Sequence, residues 1–373
     1  MRSLVALRLV LHDRTSTAGA LLGVVAIVFL VGQQLSVFFG LLTFMSVLVD
    51  HSGADAWIMS REARNIDAGK LISARYLDRV VGLPEVEWAE PVLMGSNLFR
   101  TQDGSFESVR LVGSRRPRYA GGPWQFAEGD QQALLDGEAI TVDRLDLPKL
   151  ARPAVDDRTE IGDRRVRIRA ITKGARGFQG TLVFASLEKV REITRTPPGQ
   201  VSAIVVRFAR HADRAAALAR LRASLPYASV YRTDELATLT RRYYITNTGI
   251  GGSFGFSTII AVLIGVVIIS LTMYTSVLSR TRDFAVMRAI GARRRDIAFV
   301  VFAETLIITG IGLFLGFVML AGLLNATLDS SIPSHLPRAV PVALAIGTLF
   351  VSLLGSLFAL RTALQADPAT VFH

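Results

Sequence analysis

The chain has 373 residues, 50% of them apolar, and its mean hydropathy is +0.39. That value is too high for an ordinary soluble protein and too low for a chain lying entirely in a membrane, so we expect spanning helices plus a large water-exposed part. The formal net charge of +11 indicates acidic partners, either nucleic acid or anionic lipid headgroups. Without cysteine, disulfides and thiolate chemistry are excluded, and the five scattered histidines show no metal-site pattern.

Four stretches are long and apolar enough to form membrane-spanning helices, which need ~20 mostly apolar residues each. They cover residues 18–49, 254–278, 299–324 and 340–360. The first exceeds the length that a bilayer requires, which predicts that it continues as a helical stalk beyond the membrane. It also lacks a clear small-residue cleavage site, so we do not interpret it as a signal peptide.

These stretches and their flanks divide the chain into predicted segments. In order they are an interfacial helix (1–16), the first span with its stalk (17–49), a large polar domain (50–247), the second span (248–279), a helix and turn (280–296), the third span (297–326), a loop (327–338), the fourth span (339–361) and a tail (362–373). The basic N-terminal segment is equally well interpreted as an ordinary flank of the first span.

Arginines in the short flanks predict the orientation of the chain, because cytoplasmic loops carry an excess of positive charge. Arg2, Arg8 and Arg14 precede the first span, and the short segment between the second and third spans contains six arginines. The loop between the third and fourth spans has only Arg338. Both termini and the arginine-rich segment are therefore predicted to be cytoplasmic. The domain over 50–247 then lies outside, which disfavours nucleic acid as a partner.

Strand and helix patterns alternate along the predicted external domain. Examples are strands over 86–95 and 164–174, and a strand followed by a helix over 181–194, where Ser186 is a suitable N-cap. The order predicts an α+β domain with a mixed or antiparallel sheet. The predicted fold class is thus a membrane protein with four transmembrane helices, one plus three, and a large α+β extracytoplasmic domain inserted between the first and second.

No catalytic or metal-binding motif interrupts this pattern. The sequence contains neither the Gly-x-Ser-x-Gly pattern of a nucleophile elbow nor the His-Glu-x-x-His pattern of a zinc protease. The carboxylates of Asp156, Asp157 and Asp163 are most simply explained as polar loop residues. We therefore predict no catalytic residues and no metal site.

The segment over 276–305 is the most specific feature of the sequence. It reads as a short amphipathic helix and turn between two spans, in which apolar residues alternate with arginines. Gly291 is placed to end the helix in a left-handed conformation. A positively charged loop alone would not need the ordered Met-Arg-Ala-Ile-Gly-Ala run, so we expect this segment to contact a cytoplasmic partner.

Residues 280–292 resemble the coupling-helix signature of the FtsX/MacB superfamily of ABC transporter permeases, also called type VII. The chain has Asp283 where that family usually has glutamate, and its closing Asp367-Pro368-Ala369 segment is similar to the family's. Within the superfamily it most resembles the DevC-type permeases. Residues 248–251 correspond to their Thr-Pro-Ile-Gly stretch, with Gly249 in place of proline.

The resemblance implies a permease subunit that is not an enzyme. The chain has no P-loop, so ATP and magnesium are expected in a separate ABC ATPase, present in two copies. The residues expected to contact that ATPase through a coupling helix (280–296) are Arg280, Arg282, Asp283, Met287, Arg288, Ala289, Ile290, Gly291 and Ala292. This chain is expected to bind no cofactor of its own.

The resemblance also implies a mechanism, further partners and a location. In mechanotransmission, ATP-driven closure of the cytoplasmic ends is relayed to the external domains, and no channel opens through the membrane. Expected partners are membrane lipids, a second copy of the permease in a homodimer, and, in tripartite systems, a periplasmic adaptor with an outer-membrane duct. The expected location is the bacterial inner membrane.

The sequence does not decide between two classes of cargo. An apolar wall at the end of the first span, followed by polar residues, suits a lipid or glycolipid with a headgroup near Arg61, or a haem-like macrocycle bound by His51 or Met59. The candidate cargo residues are Phe38, Phe39, Met45, His51, Met59, Arg61 and Glu62. These residues could equally mark where the stalk leaves the bilayer. Alternative functions are a lipoprotein-releasing permease and an FtsX-like regulator of an extracytoplasmic cell-wall hydrolase.

Overall fold

The computed structural model describes residues 14–279, 286–287, 290–327, 330 and 333–365. The helices are α1 (Arg14–Asp50), α2 (Tyr76–Val81), α3 (Leu187–Thr194), α4 (Arg214–Ser224), α5 (Thr233–Asn247), α6 (Ile250–Ser279), α7 (Arg294–Thr327) and α8 (Ala339–Gln365). Most of the predicted interfacial helix and the Asp367-Pro368-Ala369 segment lie outside the described residues.

The strands alternate with the shorter helices between α1 and α6. They are β1 (Ala56–Ser60), β2 (Ile72–Ser73), β3 (Val86–Arg100), β4 (Phe106–Ser114), β5 (Phe126–Glu128), β6 (Ala139–Asp143), β7 (Arg158–Ile161), β8 (Arg164–Thr172), β9 (Thr181–Ser186), β10 (Gln200–Val201), β11 (Ala203–Phe208) and β12 (Ala228–Arg232). Two short 3-10 helices cover Gln131–Leu135 and Arg144–Leu150. The chain forms two compact units, a helical one up to Gly40 and from Gly252 onward, and an external one over Leu41–Gly251.

Among the described residues, four helical stretches are long and apolar enough to cross a membrane. They lie in α1, α6, α7 and α8, over Thr17–Asp50, Ile250–Thr272, Arg294–Thr327 and Ala339–Leu357, with mean hydropathies between 2.1 and 2.6. One precedes the sheet-containing unit and three follow it. The predicted fold class of one plus three helices with an inserted α+β domain is therefore confirmed.

Small residues let α1 pack closely against the other helices of this unit. A Cβ atom built on Gly312 of α7 would lie 2.7 Å from the Cβ of Val24, and one built on Gly316 would lie 2.8 Å from the Cβ of Val28. Only glycine allows the two backbones to approach this closely. The Gly312-x-x-x-Gly316 spacing thus marks a true helix contact, and α1 is a central element of the bundle.

The external unit is built on one mixed sheet with the strand order β12-β1-β11-β3-β4-β9-β6-β8-β5. The β4–β9 and β6–β8 pairs are parallel, and the other pairs along this order are antiparallel. We call β1, β11 and β12 with α2 and α4 the first lobe, and β4 to β9 with α3 the second lobe. The 15-residue strand β3 belongs to both, because it pairs with β11 near its start and with β4 toward its end.

Several local predictions hold in this unit. The Ser186 hydroxyl caps α3 by accepting a hydrogen bond from the Lys189 amide at 3.2 Å. Helix α4 turns Ala217, Leu218 and Leu221 into the core of the first lobe. A separate core cluster lies against the other side of the sheet, and it contains the end of α1 together with residues of α5.

Candidate functional site

Helix α1 extends from the helical unit into the core of the external unit. Its 37 residues span about 55 Å, whereas the hydrocarbon core of a bilayer is about 30 Å thick. Residues 45–49 in its last turns are buried, and Val47 and Val49 pack in one cluster with Trp57 of β1 and Leu236 of α5. A displacement of this end of α1 must therefore displace the sheet that is packed on it.

A polar contact joins α1 to α5, the helix that leads back to the membrane. Arg241 of α5 donates from Nη2 to Asp50 Oδ2 at 2.5 Å and from Nε to Ser46 Oγ at 2.8 Å. The Ser46 hydroxyl in turn donates to the same Asp50 oxygen at 2.7 Å. About a third of the Arg241 and Asp50 side chains is exposed, so this ion pair adds little to the free energy of unfolding. Its main effect is to fix the positions of the two stalk helices side by side.

Tyr244, one turn further along α5, connects three parts of the external unit. Its hydroxyl donates to Asp67 Oδ2 at 2.8 Å and accepts from Gln179 Nε2 at 2.6 Å, and its ring meets that of Phe178 edge-on at 4.9 Å. Arg110 of β4 completes the group with an ion pair to Asp67 at 3.3 Å. Burial, and then the neighbouring Asp67 carboxylate, raise the pKa of Tyr244. A tyrosine hydroxyl is protonated at neutral pH even at its ordinary pKa, so this one can donate there with or without the shift.

The loop between β8 and β9, residues 173–180, contacts both stalk helices, and we call it the strap. Gln179 and Phe178 meet α5 at Tyr244, as described above. On the other side, the Arg176 guanidinium lies 5.3 Å from the ring centre of Phe44 in α1. Arg176 is also anchored in the second lobe, since its Nη2 and Nε donate to Asp146 Oδ1 at 2.9 and 3.1 Å.

Removing the Arg176 charge is expected to destabilise the external unit. In Arg176→Met, the buried Asp146 keeps its ion pair with Lys149 at 3.3 Å, so we expect the free energy of unfolding to fall by about 2–3 kcal/mol, somewhat less than for a fully orphaned buried charge. Urea unfolding followed by tryptophan fluorescence measures it. The double change Arg176→Met with Asp146→Leu is expected to recover much of the loss. A double variant as unstable as the single one would contradict this account.

A break separates α5 from α6. Helix α5 ends at Asn247 and α6 begins at Ile250, with Gly249 between them at φ +76°. This left-handed conformation favours glycine. The break lies a few residues after Tyr244.

The predicted ATPase-contact segment is described only in part. Met287, Ile290, Gly291 and Ala292 are described, whereas Arg280, Arg282, Asp283, Arg288 and Ala289 lie outside the described residues. Gly291 has φ +98°, and the Ala292 amide donates to the Met287 carbonyl at 2.9 Å, which is the hydrogen bond of a Schellman motif. The predicted left-handed helix end at Gly291 is therefore confirmed. Met287 packs against the helical bundle, while 81% of Ile290 is exposed.

The candidate cargo residues do not form one cluster. Phe38 contacts Phe39 and Phe254, with ring centres 5.6 Å apart in each case. Met45 is buried on α1. His51 stacks on Trp124 at 4.5 Å, and its Nδ1 lies 3.0 Å from the Val47 carbonyl.

The structure corrects the placement of Met59. The sequence suggested a position just beyond the stalk, but Met59 is a fully buried residue of β1, on the same side of the strand as Trp57. Its sulfur is not accessible to a macrocycle. Arg61 and Glu62 follow on the surface, where Glu62 pairs with Lys70 at 2.7 Å. In the part of the chain that the structure describes, no group of three or more His, Cys, Asp or Glu residues could hold a metal ion.

Sequence reasoning missed the strap and its partners. Arg176 and Asp146 are separated by 30 positions, and Tyr244 and Gln179 by 65, so no short pattern connects them. The sequence did contain one signal for this loop. Three glycines at a spacing of three residues interrupt an otherwise strand-rich region, at Gly174, Gly177 and Gly180. Glycines at this spacing indicate a tightly folded loop but not what the loop contacts.

Comparisons with known proteins agree with this architecture. The family of MacB-like periplasmic core domains matches residues 17–224, and the family of FtsX-like permease C-terminal domains matches residues 255–368. An ABC transporter permease of Mycobacterium bovis, described as uncharacterized, is 26% identical over 331 residues, which cover 87% of this chain and 86% of the relative. Permeases from two strains of Mycobacterium tuberculosis match with the same identity and coverage.

Solved structures similar to this chain are external domains. The periplasmic region of MacB from Actinobacillus actinomycetemcomitans has a TM-score of 0.40 and 12% identity, covering 50% of this chain and 93% of that one. The extracellular domain of the transporter YknZ from Gram-positive bacteria has a TM-score of 0.35 and 12% identity, covering 48% and 100%. With four membrane-spanning helices, an inserted external domain and both family matches, the chain belongs to the FtsX/MacB-type permeases of ABC transporters.

Proposed function

We propose that this chain is the permease of an ATP-driven export machine that works by mechanotransmission, of the DevC-like kind. ABC permeases of this family act with an ATPase, and the exposed Ile290 at the turn before α7 offers that partner an apolar contact. In this proposal the turn and both termini are cytoplasmic, the external unit lies outside the inner membrane, and two copies of the chain form a homodimer. An adaptor and an outer-membrane duct extend the machine where a second membrane is present.

The observation that carries the proposal is the way both stalk helices enter the external unit. The end of α1 is buried in its core, and α5 is joined to α1 by Arg241 and to the strap by Tyr244. A helix that is only a membrane anchor needs none of these contacts. An arrangement in which both membrane connections are fixed to the same sheet transmits a movement of the helices to that sheet.

The proposed cargo is an anionic lipid or another hydrophobic molecule taken from the outer leaflet or the periplasm. Phe38, Phe39 and Phe254 provide a half-buried aromatic group on α1 and α6. Arg61 is exposed and makes no ion pair among the described residues, which leaves its charge available to a headgroup. The burial of Met59 removes it as a candidate axial ligand, and the ring of the remaining candidate, His51, is already stacked on Trp124, so we favour lipid over haem as the cargo.

Reconstitution of the permease with its ATPase in lipid nanodiscs tests this function. We expect phosphatidylglycerol, added to discs of phosphatidylcholine, to accelerate ATP hydrolysis, and haem to have no such effect. Arg61→Gln should reduce the lipid response, and Arg75→Gln, which removes an exposed arginine outside the proposed site, should not. If neither lipid, haem nor a candidate adaptor changes the rate, the export function is wrong. A cell-wall hydrolase activated by the complex would support the regulatory alternative.

A further inference from the structure

Two large apolar side chains are exposed next to each other at the end of the hairpin formed by β3 and β4. Leu98 is 50% exposed and Phe106 is 61% exposed. The strands pair Phe106 with Arg100 and Ser108 with Leu98, so Leu98 and Phe106 are diagonal neighbours on one face of the sheet. Phe99 lies on the opposite face and is buried in the core of the second lobe. The exposed pair is therefore not part of that core.

The start of β3 lies at the end of α1 that is farthest from the membrane. Helix α1 enters the external unit at Leu41 and ends at Asp50. Gly53 follows three residues later, and its carbonyl accepts from Arg207 Nη1 at 2.6 Å. Arg207 of β11 is paired with Trp88 near the start of β3. The 15 residues of β3 span about 50 Å, so its other end, with the hairpin, is far from this point.

The strap marks the end of the external unit that is connected to the membrane. The chain enters this unit at Leu41 and leaves it at Gly251, and in both directions it continues into a membrane-spanning helix. The strap contacts Phe44, three residues after the entry point, and Tyr244, seven residues before the exit. The strap is therefore close to both of these points.

The hairpin lies next to the strap. A Cβ atom built on Gly180, the last residue of the strap, would lie 3.1 Å from the carbonyl oxygen of Ser108 in β4. The next residues of the two segments, Thr181 and Val109, are paired on neighbouring strands. Phe106 precedes Ser108 by two residues, which is about 7 Å along a strand. The exposed apolar pair thus lies at the end of the external unit that is connected to the membrane.

Arginines border the apolar pair. Arg100 stands directly opposite the exposed phenylalanine, and it lines an open cleft together with Arg158 and Arg165. Glu138 and Glu160 line the same cleft, and Arg100 is paired with Glu160 at 3.3 Å. Arg158 and Arg165 are exposed and make no ion pair among the described residues. This composition suits the surface of a bilayer, where apolar side chains enter the acyl region and arginines remain at the lipid phosphates.

The turn of the hairpin holds this end in a fixed shape. The Asp103 carboxylate accepts from the Ser105 amide at 3.0 Å and from the Ser105 hydroxyl at 2.8 Å. The Thr101 amide donates to the Ser105 carbonyl at 2.9 Å, which closes the turn. A surface that is ordered before it binds loses little conformational entropy on binding. The end of the hairpin can therefore contact lipid without being remodelled.

We propose that the Leu98–Phe106 end of the hairpin rests on the outer leaflet of the membrane, with both apolar side chains inserted between the lipid headgroups. The arginines around it favour anionic headgroups. The inference rests on the proposed placement of the external unit outside the inner membrane, and it does not depend on mechanotransmission or on the cargo. It gives the external unit a third contact with the bilayer, in addition to the two stalk helices.

Spin labelling of the full-length permease tests this contact. The chain has no cysteine, so Gln102→Cys places a single label in the exposed turn of the hairpin. Glu87→Cys is the matched control, because Glu87 is exposed near the other end of β3. The permease is reconstituted in nanodiscs of phosphatidylcholine with phosphatidylglycerol. Power saturation then compares the collisions of each label with oxygen, which dissolves in lipid, and with NiEDDA, which stays in water.

The ratio of oxygen to NiEDDA collisions should be several-fold higher at Gln102→Cys than at Glu87→Cys. The double change Leu98→Thr with Phe106→Thr should lower the ratio at Gln102→Cys to the control value. Equal ratios at the two labels in the otherwise unchanged chain overturn the inference. A Gln102→Cys label that is shielded from both reagents also overturns it, because protein would then cover the hairpin.

An unchanged ratio after Leu98→Thr with Phe106→Thr would show that the apolar pair does not hold the hairpin in lipid, and the inference would then be wrong. The response of ATP hydrolysis to lipid, haem and adaptor is measured separately. If hydrolysis responds to none of them while the Gln102→Cys label lies in lipid, the export function fails and the hairpin contact stands. If the label is exposed to water while hydrolysis responds, the hairpin contact is refuted and the export function stands.

Discussion

Replacing Ile290 by aspartate is expected to weaken the binding of the ATPase, so that the permease no longer controls ATP hydrolysis, while leaving the fold of the permease intact. Ile290 is 81% exposed at the turn that precedes α7, so its side chain contributes little to internal packing. The Schellman hydrogen bond from Ala292 to Met287 and the left-handed Gly291 keep the turn in shape. An exposed apolar side chain on a rigid turn has the properties of an interface anchor.

The expected loss of binding free energy follows from that role. A carboxylate buried against an apolar surface of the ATPase should weaken the association by about 2 kcal/mol or more, which is about thirty-fold in affinity. Titration of the ATPase against the permease in nanodiscs measures it, and loss of lipid-stimulated hydrolysis accompanies it. Ile290→Leu serves as the control and should bind normally. Full affinity in the aspartate variant would show that the ATPase docks elsewhere.

Replacing Gly312 by leucine is expected to disrupt the helical unit. A single Cβ at this position already lies 2.6 Å from Val24 Cγ1 and 2.7 Å from its Cβ, and Val24 is completely buried. A β-branched side chain cannot rotate its own Cβ away, so α7 and α1 must move apart. We expect a destabilisation of about 3 kcal/mol or more, at the upper end of overpacking effects. Thermal unfolding in detergent, together with the yield of folded protein, measures the change.

Gly310 is the matched control on the same helix. A Cβ built there meets no atom within 4 Å, so Gly310→Leu adds the same bulk to an open face. It should unfold at nearly the wild-type temperature. Equal losses in the two variants would mean that leucine harms α7 for reasons unrelated to its contact with α1.

The membrane helices could be predicted from sequence because their signal is local. Each span is a long apolar run, and the N-cap at Ser186 and the helix end at Gly291 each depend on a few neighbouring residues. Strands β1 and β6 gave no comparable signal. Every residue of both strands is buried, so neither shows the alternation that indicates a strand with one exposed face.

The contacts around the strap depend on the fold as a whole. Met59 shows the difference most clearly, since a residue nine positions after the end of α1 is expected at the surface until β1 is known to lie inside the sheet, between β12 and β11. No short motif marks Tyr244. Its partners Asp67 and Gln179 come from loops that are distant in sequence, and only the sheet topology brings them together.

The shared strand β3 has a consequence for engineering this protein. Val92 pairs with Ala203 on one side and with Ser114 on the other, so no linker separates the two lobes. Between the end of β3 and the start of β10, however, the chain builds the rest of the second lobe as one contiguous insertion. Chimeras that exchange residues 101–199 and keep β3 intact therefore preserve the pairing of β3 with β11 in the first lobe, whereas a junction placed inside β3 would break both lobes at once.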